Sequence, residues 1–350
     1  MKVAPLLREF RRRPGRFRTR LVHTGQHYDE AMSDVFFAEL GIRKPEIHLG
    51  VGSGSHAAQT ACIMERFEKV LLRERPDWVV VVGDVNSTAA CALVAAKMSP
   101  PVRVAHVEAG LRSRDRRMPE EINRIVTDAL SDLLFTTSAD ADRNLAAEGV
   151  ERAKIHRVGN VMIDTLRRFV GRSDGSDVLR RLGLEPPFVL LTLHRPSNVD
   201  DRKTFQRILA ALRRIGRRVP ILFPAHPRTV KMMRAFGAGV GSVPGLRVIA
   251  PLGYLDFLHL HKRAALVLTD SGGIQEEASI LGVPCLTLRE NTERPVTVSL
   301  GTNRLVGSDT EAISREAFRA LRRRKSRRRA IPYWDGRAAE RIAAIFSRLG

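Results

Sequence analysis

Cysteine is nearly absent from this chain: its 350 residues hold only Cys62, Cys91 and Cys285, far apart and in apolar surroundings. A disulfide framework or a zinc site needs CxxC or Cys/His spacing, and neither is present. The three cysteines therefore read as small core residues, and no metal is expected. Long hydrophobic runs are missing too. No stretch approaches the roughly 18–20 apolar residues that cross a bilayer, and Met1–Leu7 runs into Arg8, Arg11, Arg12 and Arg13 without a signal-like core. A cytoplasmic protein without a membrane partner is the expectation.

Acidic residues are in deficit, 38 against 59 basic ones, leaving a formal charge of +21. Such a surplus could serve a nucleic acid, because clustered Arg and Lys release counterions from a phosphate backbone. Yet 50 of the 59 basic residues are arginine, spread along the chain, with one dense run at 322–329. Aromatics make up only 5% and none interleaves with that run, so no stacking platform for bases exists. A solvated basic face, or simply a coding bias toward arginine, explains the charge without nucleic acid as partner.

What the chain has is length and alternation. At 350 residues and 43% hydrophobic, it can bury two ordinary α/β cores. Short β-branched runs (78–82, 102–107, 133–136, 188–193, 221–223, 265–268 and 285–288) alternate with helical stretches, which predicts parallel sheets. Continuous apolar runs such as WVVVV fit strands covered on both faces by crossover helices. The GRSDG segment and the Pro186–Pro187 pair separate two sets of strands. The predicted fold class is α/β with two Rossmann-like domains, spanning residues 1–170 and 171–330. A C-terminal helix within 331–350 is expected to pack back toward the first domain.

Polar groups stand just after the predicted strands: Gly83 and Asp84, Glu108, Asn160, His194, His226, and Asp270 with Ser271. In open parallel sheets, ligands bind beyond the carboxyl ends of the strands. Any one of these residues could merely cap the next helix; together they predict groups from both domains facing one cleft. TDSGGIQEEA places Ser271, Gly272 and Gly273 between a strand and a helix, where backbone N–H groups and the helix dipole suit a diphosphate. Glu277 would lie one turn in, within reach of ribose hydroxyls. Asp84, Glu108 and Glu120 offer carboxylates for general acid/base work, provided burial or repulsion raises at least one pKa. Glu121 reads as a salt-bridged helix face. His194 and Arg195 could neutralise a departing diphosphate. His259 and His261, two apart on a predicted helix, point to different sides and cannot share a metal.

Read in order, TGQHYDE, GDVNSTAA, HVEAGLRSRDRRMPEEINR, VGNVMIDTL, TLHRPSNVD, FPAHPRT, TDSGGIQEEASILGVPCLTLRENTERP and PYWDG resemble the non-hydrolysing UDP-N-acetylglucosamine 2-epimerases over nearly the whole chain. The resemblance implies a GT-B-like fold, a homodimer, no cofactor, and a role in cell-surface polysaccharide precursor synthesis. It implies inversion at carbon 2 of the sugar by elimination and re-addition of UDP through 2-acetamidoglucal. By motif match, Asp84, Glu108 and Glu120 form the acid/base group, with His194 at the leaving diphosphate. Ser271, Gly272, Gly273, Glu277 and Arg294 match the UDP site, Leu252 and Phe257 lie near the uracil, and Lys2 and Arg124 toward the phosphates. Gln26, His27 and His226 match residues near a second, activating UDP-sugar site in some members.

Two departures stand out. Ser197 occupies a position where the family usually has Glu. The chain also begins just after the family's first strand and its GTRPE-type loop, so the first domain is expected to lack that strand and the loop's arginine. Rival readings are a hydrolysing epimerase, a 2-epimerase of a diacetamido-uronic acid UDP-sugar, which HLGVGSGSH and MPEEINR also resemble, a GT-B glycosyltransferase, and a basic nucleic-acid-binding protein.

Overall fold

Apolar runs become strands here wherever helices can cover both of their faces. The computed structural model describes residues 1–25, 37–236, 243–322 and 330–349. It divides into two units: Met1–Thr165 with Pro332–Gly350, and Leu166–Ile331.

The first unit opens with α1 (Val3–Arg11), β1 (Val22–His23), β2 (Ile47–His48) and α2 (His56–Glu74). There follow β3 (Trp78–Val82), α3 (Asn86–Lys97), β4 (Arg103–Ala109), α4 (Pro119–Leu130), β5 (Leu133–Thr136), α5 (Ala139–Ala147), β6 (Ile155–Arg157) and α6 (Val161–Phe169). Strands β3-β4-β5-β6 form one sheet and β1-β2 another, and every pairing is parallel. The division between units falls inside α6, ahead of the GRSDG segment.

In the second unit, α7 (Val178–Leu182) precedes β7 (Val189–Thr192), α8 (Pro196–Val199), α9 (Arg202–Gly216), β8 (Ile221–Pro224) and α10 (Pro227–Ala235). Then come β9 (Leu246–Ile249), α11 (Tyr254–Arg263), β10 (Leu266–Thr269), α12 (Gly272–Leu281), β11 (Cys285–Thr287), α13 (Pro295–Ser299), β12 (Asn303–Leu305) and α14 (Thr310–Arg322). The six-stranded parallel sheet runs β12-β11-β10-β7-β8-β9. Strand order reverses beside β7, where an open α/β sheet presents its ligand crevice.

Helix α9 shows how local sequence meets the core. Asp201 caps its first turn, accepting from Thr204 N at 2.8 Å, while Phe205, Ile208, Leu209, Leu212 and Ile215 recur at helical spacing and are buried against β7 and β8. The last helix, α15 (Ala338–Phe346), belongs to the first unit. Its Ala338, Ala339, Ile342, Ala343 and Phe346 join Leu6 and Phe10 of α1 over Ala105, Val107 and Phe135 of the sheet. The Phe346 ring lies 5.3 Å from Trp78, 5.6 Å from Phe135 and 5.9 Å from Phe10. At the start of α15, the Asp164 carboxylate accepts from Ala338 N at 3.0 Å and Ala339 N at 2.8 Å, satisfying helix-end donors.

Candidate active site

In the first unit the acidic groups gather around one glycine. Gly83 follows β3 with φ +79°, and a Cβ there would lie 2.9 Å from Lys2 Nζ and 3.3 Å from Glu108 Oε2. Only a residue without a side chain fits both the backbone and the space. Glu108 does not follow β4, as its sequence position suggests, but lies within it, at an irregularity of register between Val107 and Ala109. Its φ is +73° and its exposure only 2%, so this non-glycine residue holds a strained conformation of the kind that clusters at functional sites. Lys2 forms an ion pair with Glu108 rather than standing free for a phosphate.

Asp84 accepts from Arg124 Nη1 at 2.5 Å. Arg124 is fully buried and also donates to Glu121 at 2.8 Å. Glu121 is ion-paired, as expected, but it faces inward: it accepts from Ser113 N and Arg114 N at 2.9 Å each. Burial alone would raise its pKa, yet those N–H groups and Arg124 hold it below the usual value, so it remains an anion and not a proton donor. Glu120, in the first turn of α4 after Pro119, is half-buried.

In the second unit His194 is exposed just beyond β7, and its Nδ1 lies 2.8 Å from Asp270 Oδ1. Asp270 is fully buried and also accepts from Arg195 N at 3.0 Å and Asn198 Nδ2 at 3.2 Å. Burial would raise the Asp270 carboxyl, but His194 and the backbone donors outweigh it and hold it low. Ser271 is the N-cap of α12. A Cβ on Gly272 would collide with Arg294 and lie 2.6 Å from Glu293 Oε1, so glycine is required for this helix start to approach the buried arginine. Arg294 donates to Glu276 at 2.5 Å and also pairs with Glu293. Glu293 also pairs with Arg289 at 2.9 Å and with Arg195 at 3.8 Å. Glu277 is buried and accepts from the Tyr254 hydroxyl at 3.1 Å, whose pKa burial and this carboxylate drive upward. Leu252 and Phe257 pack, half-buried, on the cluster around Phe188 and Leu190.

Two of the polar residues after strands cap the helices that follow. Asn160 Oδ1 accepts from Met162 N at 2.8 Å, and His226 Nδ1 from Arg228 N at 3.3 Å. Gln26 and His27 lie outside the described residues, as does 323–329 of the basic run. Cys91 and Cys285 are buried, which pushes both thiols up to about 12. Among the described residues, no group of His, Cys, Asp or Glu is arranged to hold a metal ion, and no helix is long and apolar enough to cross a membrane.

Several residues of these networks are not marked by the sequence pattern: Glu276, Glu293 and Arg289 lie inside the TDSGGIQEEASILGVPCLTLRENTERP motif, and His106 lies inside an apolar strand. His106 is fully buried, a signal available in its position two residues before Glu108 in RVAHVEA.

Parallel α/β units with carboxylates set at a strand end in one, and a glycine-started helix beside buried arginines in the other, define an enzyme of nucleotide sugars. Residues 8–347 match the sequence model of the family described as UDP-N-acetylglucosamine 2-epimerase. A UDP-N-acetylglucosamine 2-epimerase of Methanocaldococcus jannaschii is 42% identical, over 99% of this chain and 95% of its own. A UDP-2,3-diacetamido-2,3-dideoxy-D-glucuronate 2-epimerase of Pseudomonas aeruginosa is 43% identical, over 94% and 91%. The crystal structure of the Methanocaldococcus jannaschii enzyme in complex with UDP-GlcNAc and UDP superposes with a TM-score of 0.92, covering 99% of this chain and 96% of that one. This chain belongs to the UDP-N-acetylglucosamine 2-epimerase family and is an isomerase of that family.

Proposed function

We propose that this protein interconverts UDP-N-acetylglucosamine and UDP-N-acetylmannosamine by elimination and re-addition of UDP. The observation that carries the reading is the placement of the Glu108 carboxylate beside Gly83, the residue that precedes Asp84, in a chain so similar to an enzyme crystallised with UDP-GlcNAc and UDP. Loss of the weakly acidic proton on carbon 2 and departure of UDP from carbon 1 leave 2-acetamidoglucal. Re-addition of UDP with protonation on the opposite face completes the inversion, which requires acid/base groups and a stabilised diphosphate.

Asp84, Glu108 and Glu120 are the proposed acid/base group. The N-terminus of α12, with Ser271, Gly272 and Gly273, suits the diphosphate, and Arg294 and His194 supply positive charge or hydrogen bonds to it. Glu277 keeps lone pairs for ribose hydroxyls, and Leu252 and Phe257 offer an apolar surface to the uracil. Lys2 and Arg124, which pair with Glu108 and Asp84, are proposed to lie toward the phosphates. By the same resemblance, Gln26, His27 and His226 are the residues proposed for binding an effector UDP-sugar. The enzyme is proposed to be a cytoplasmic homodimer that supplies polysaccharide precursors.

Incubation with UDP-N-acetylglucosamine in deuterated water, followed by NMR, should show the manno epimer with deuterium at carbon 2. Epimerisation with the original hydrogen retained would overturn the mechanism. The Pseudomonas aeruginosa relative favours a second substrate, the diacetamido-glucuronate UDP-sugar. Exchange at carbon 2 of that sugar alone would assign it instead.

A further inference from the structure

The carbonyl of Gly83 and the carboxylate of Asp128 hold a histidine between them inside the first unit. His106 is fully buried; its Nδ1 lies 2.6 Å from Asp128 Oδ1 and its Nε2 lies 2.9 Å from the Gly83 carbonyl oxygen. A carbonyl oxygen only accepts, so Nε2 must carry a proton. An ionised carboxylate also only accepts, so Nδ1 must carry one as well. Asp128 is ionised on structural grounds: its other oxygen accepts from Gly110 N at 3.1 Å and pairs with Arg112 Nη1 at 2.7 Å. Burial works against that charge, but His106 and Arg112 overcome it and hold the Asp128 carboxyl low. Arg112 in turn is held by Glu148, at 2.8 and 2.6 Å. A chain of alternating charge thus runs inward from the exposed Glu148 through the buried Arg112, Asp128 and His106 and ends on the Gly83 carbonyl.

That carbonyl belongs to the peptide joining Gly83 to Asp84. The Gly83 N–H donates to Val107 O at 3.0 Å, so β4 grips Gly83 twice, through the Val107 carbonyl and the His106 ring. The next residue along β4 is Glu108, whose carboxylate lies against the Gly83 α-carbon. One strand therefore sets the distance between the Asp84 turn and the Glu108 carboxylate.

We propose that His106 is a positioning residue, held as an imidazolium between Asp128 and the Gly83 carbonyl, that fixes the Asp84 turn in register with Glu108 for proton transfer. The proposal rests on the acid/base reading of these two carboxylates, but its first test does not. In protein labelled with 15N-histidine, both ring nitrogens of His106 should carry protons at neutral pH, because both face hydrogen-bond acceptors. A pyridine-type nitrogen at neutral pH would overturn the proposal whatever the enzyme's activity. The second test is kinetic. His106→Leu should lower kcat by about 10²-fold, the scale on which small misplacements of reacting groups act, with KM and UDP affinity little changed. Asp128→Asn should reproduce part of that loss while the His106 nitrogens become inequivalent. His106→Gln, which can still donate to Gly83 O, should recover part of it. Thermal unfolding of each variant separates misplacement from misfolding. If His106→Leu folds normally and keeps the parent's kcat, the positioning role is wrong; if it does not fold, a folded Asp128→Asn with the parent's kcat overturns the role equally.

Discussion

Two buried carboxylates of the first unit, Glu108 and Glu121, divide by role once their partners are known. Glu108 sits at a backbone irregularity with a positive φ beside Gly83, whereas Glu121 ties down the loop at Ser113 and Arg114 and stays ionised. Glu108→Gln keeps the shape and removes the proton site. It should lower deuterium incorporation at carbon 2 by roughly 10²–10⁴-fold, the usual worth of a general acid or base, with UDP affinity by calorimetry unchanged. Glu277→Ala should do the reverse, weakening UDP binding in the same calorimeter while the melting temperature moves little. Equal affinity in variant and parent would remove Glu277 from the ribose. The sequence places Asp84, Glu108 and His194 at strand ends because β-branched runs stop just before them. It cannot show that Lys2 pairs with Glu108 or that Asp270 grips His194, since those contacts join residues far apart in the chain. The register shift at Glu108 is equally silent, being a property of strand pairing and not of composition.

Strands were legible in proportion to their apolar length. WVVVV and LLFT match β3 and β5 residue for residue, because a parallel strand buried on both faces has no room for polar alternation. By contrast, β6 (IHR), β9 (LRVI) and β12 (NRL) each carry a charge in a short run, and the two-residue strands β1 and β2 offer no period to detect. The sequence predicts a C-terminal helix packed toward the first domain but not the polar contact that joins α6 to α15, the Asp164 carboxylate on the Ala338 and Ala339 N–H groups. Burial pushes the Asp164 carboxyl up to about 6, against the downward pull of the Ala339 and Ala338 N–H groups and of Arg8, from a reference value of 3.8. The folded chain thus binds this proton more tightly than the unfolded one. Between about pH 4 and 6 the folded state holds more of it, so this group's contribution to stability falls as pH rises through that window. Asp164→Asn cannot titrate, and the difference in urea midpoint between parent and variant should shift in the parent's favour as pH drops from about 7 to about 4. A difference independent of pH would show that Asp164 keeps an ordinary pKa.

At the scale of the whole molecule, the order of the chain and the order of its cores do not coincide. The first unit is assembled from two separated stretches, and α15 supplies Ile342 and Phe346 to a core whose other walls are α1, β4 and β5. The second unit is continuous, Leu166–Ile331. Domains made on the ribosome ordinarily fold in the order in which they emerge. Here the first unit lacks the helix that closes its core until residues 338–346 have been synthesised, by which time the second unit has its full complement of strands. Nascent chains arrested just after residue 331 and extended by a linker through the exit tunnel should show 166–331 resistant to a brief protease pulse and 1–165 sensitive. Equal resistance of both would mean that α15 is dispensable. The part of the protein that carries Asp84 and Glu108 therefore matures last although it is translated first, and through most of its synthesis an open sheet face, with Val107 and Phe135 on it, is available to chaperones.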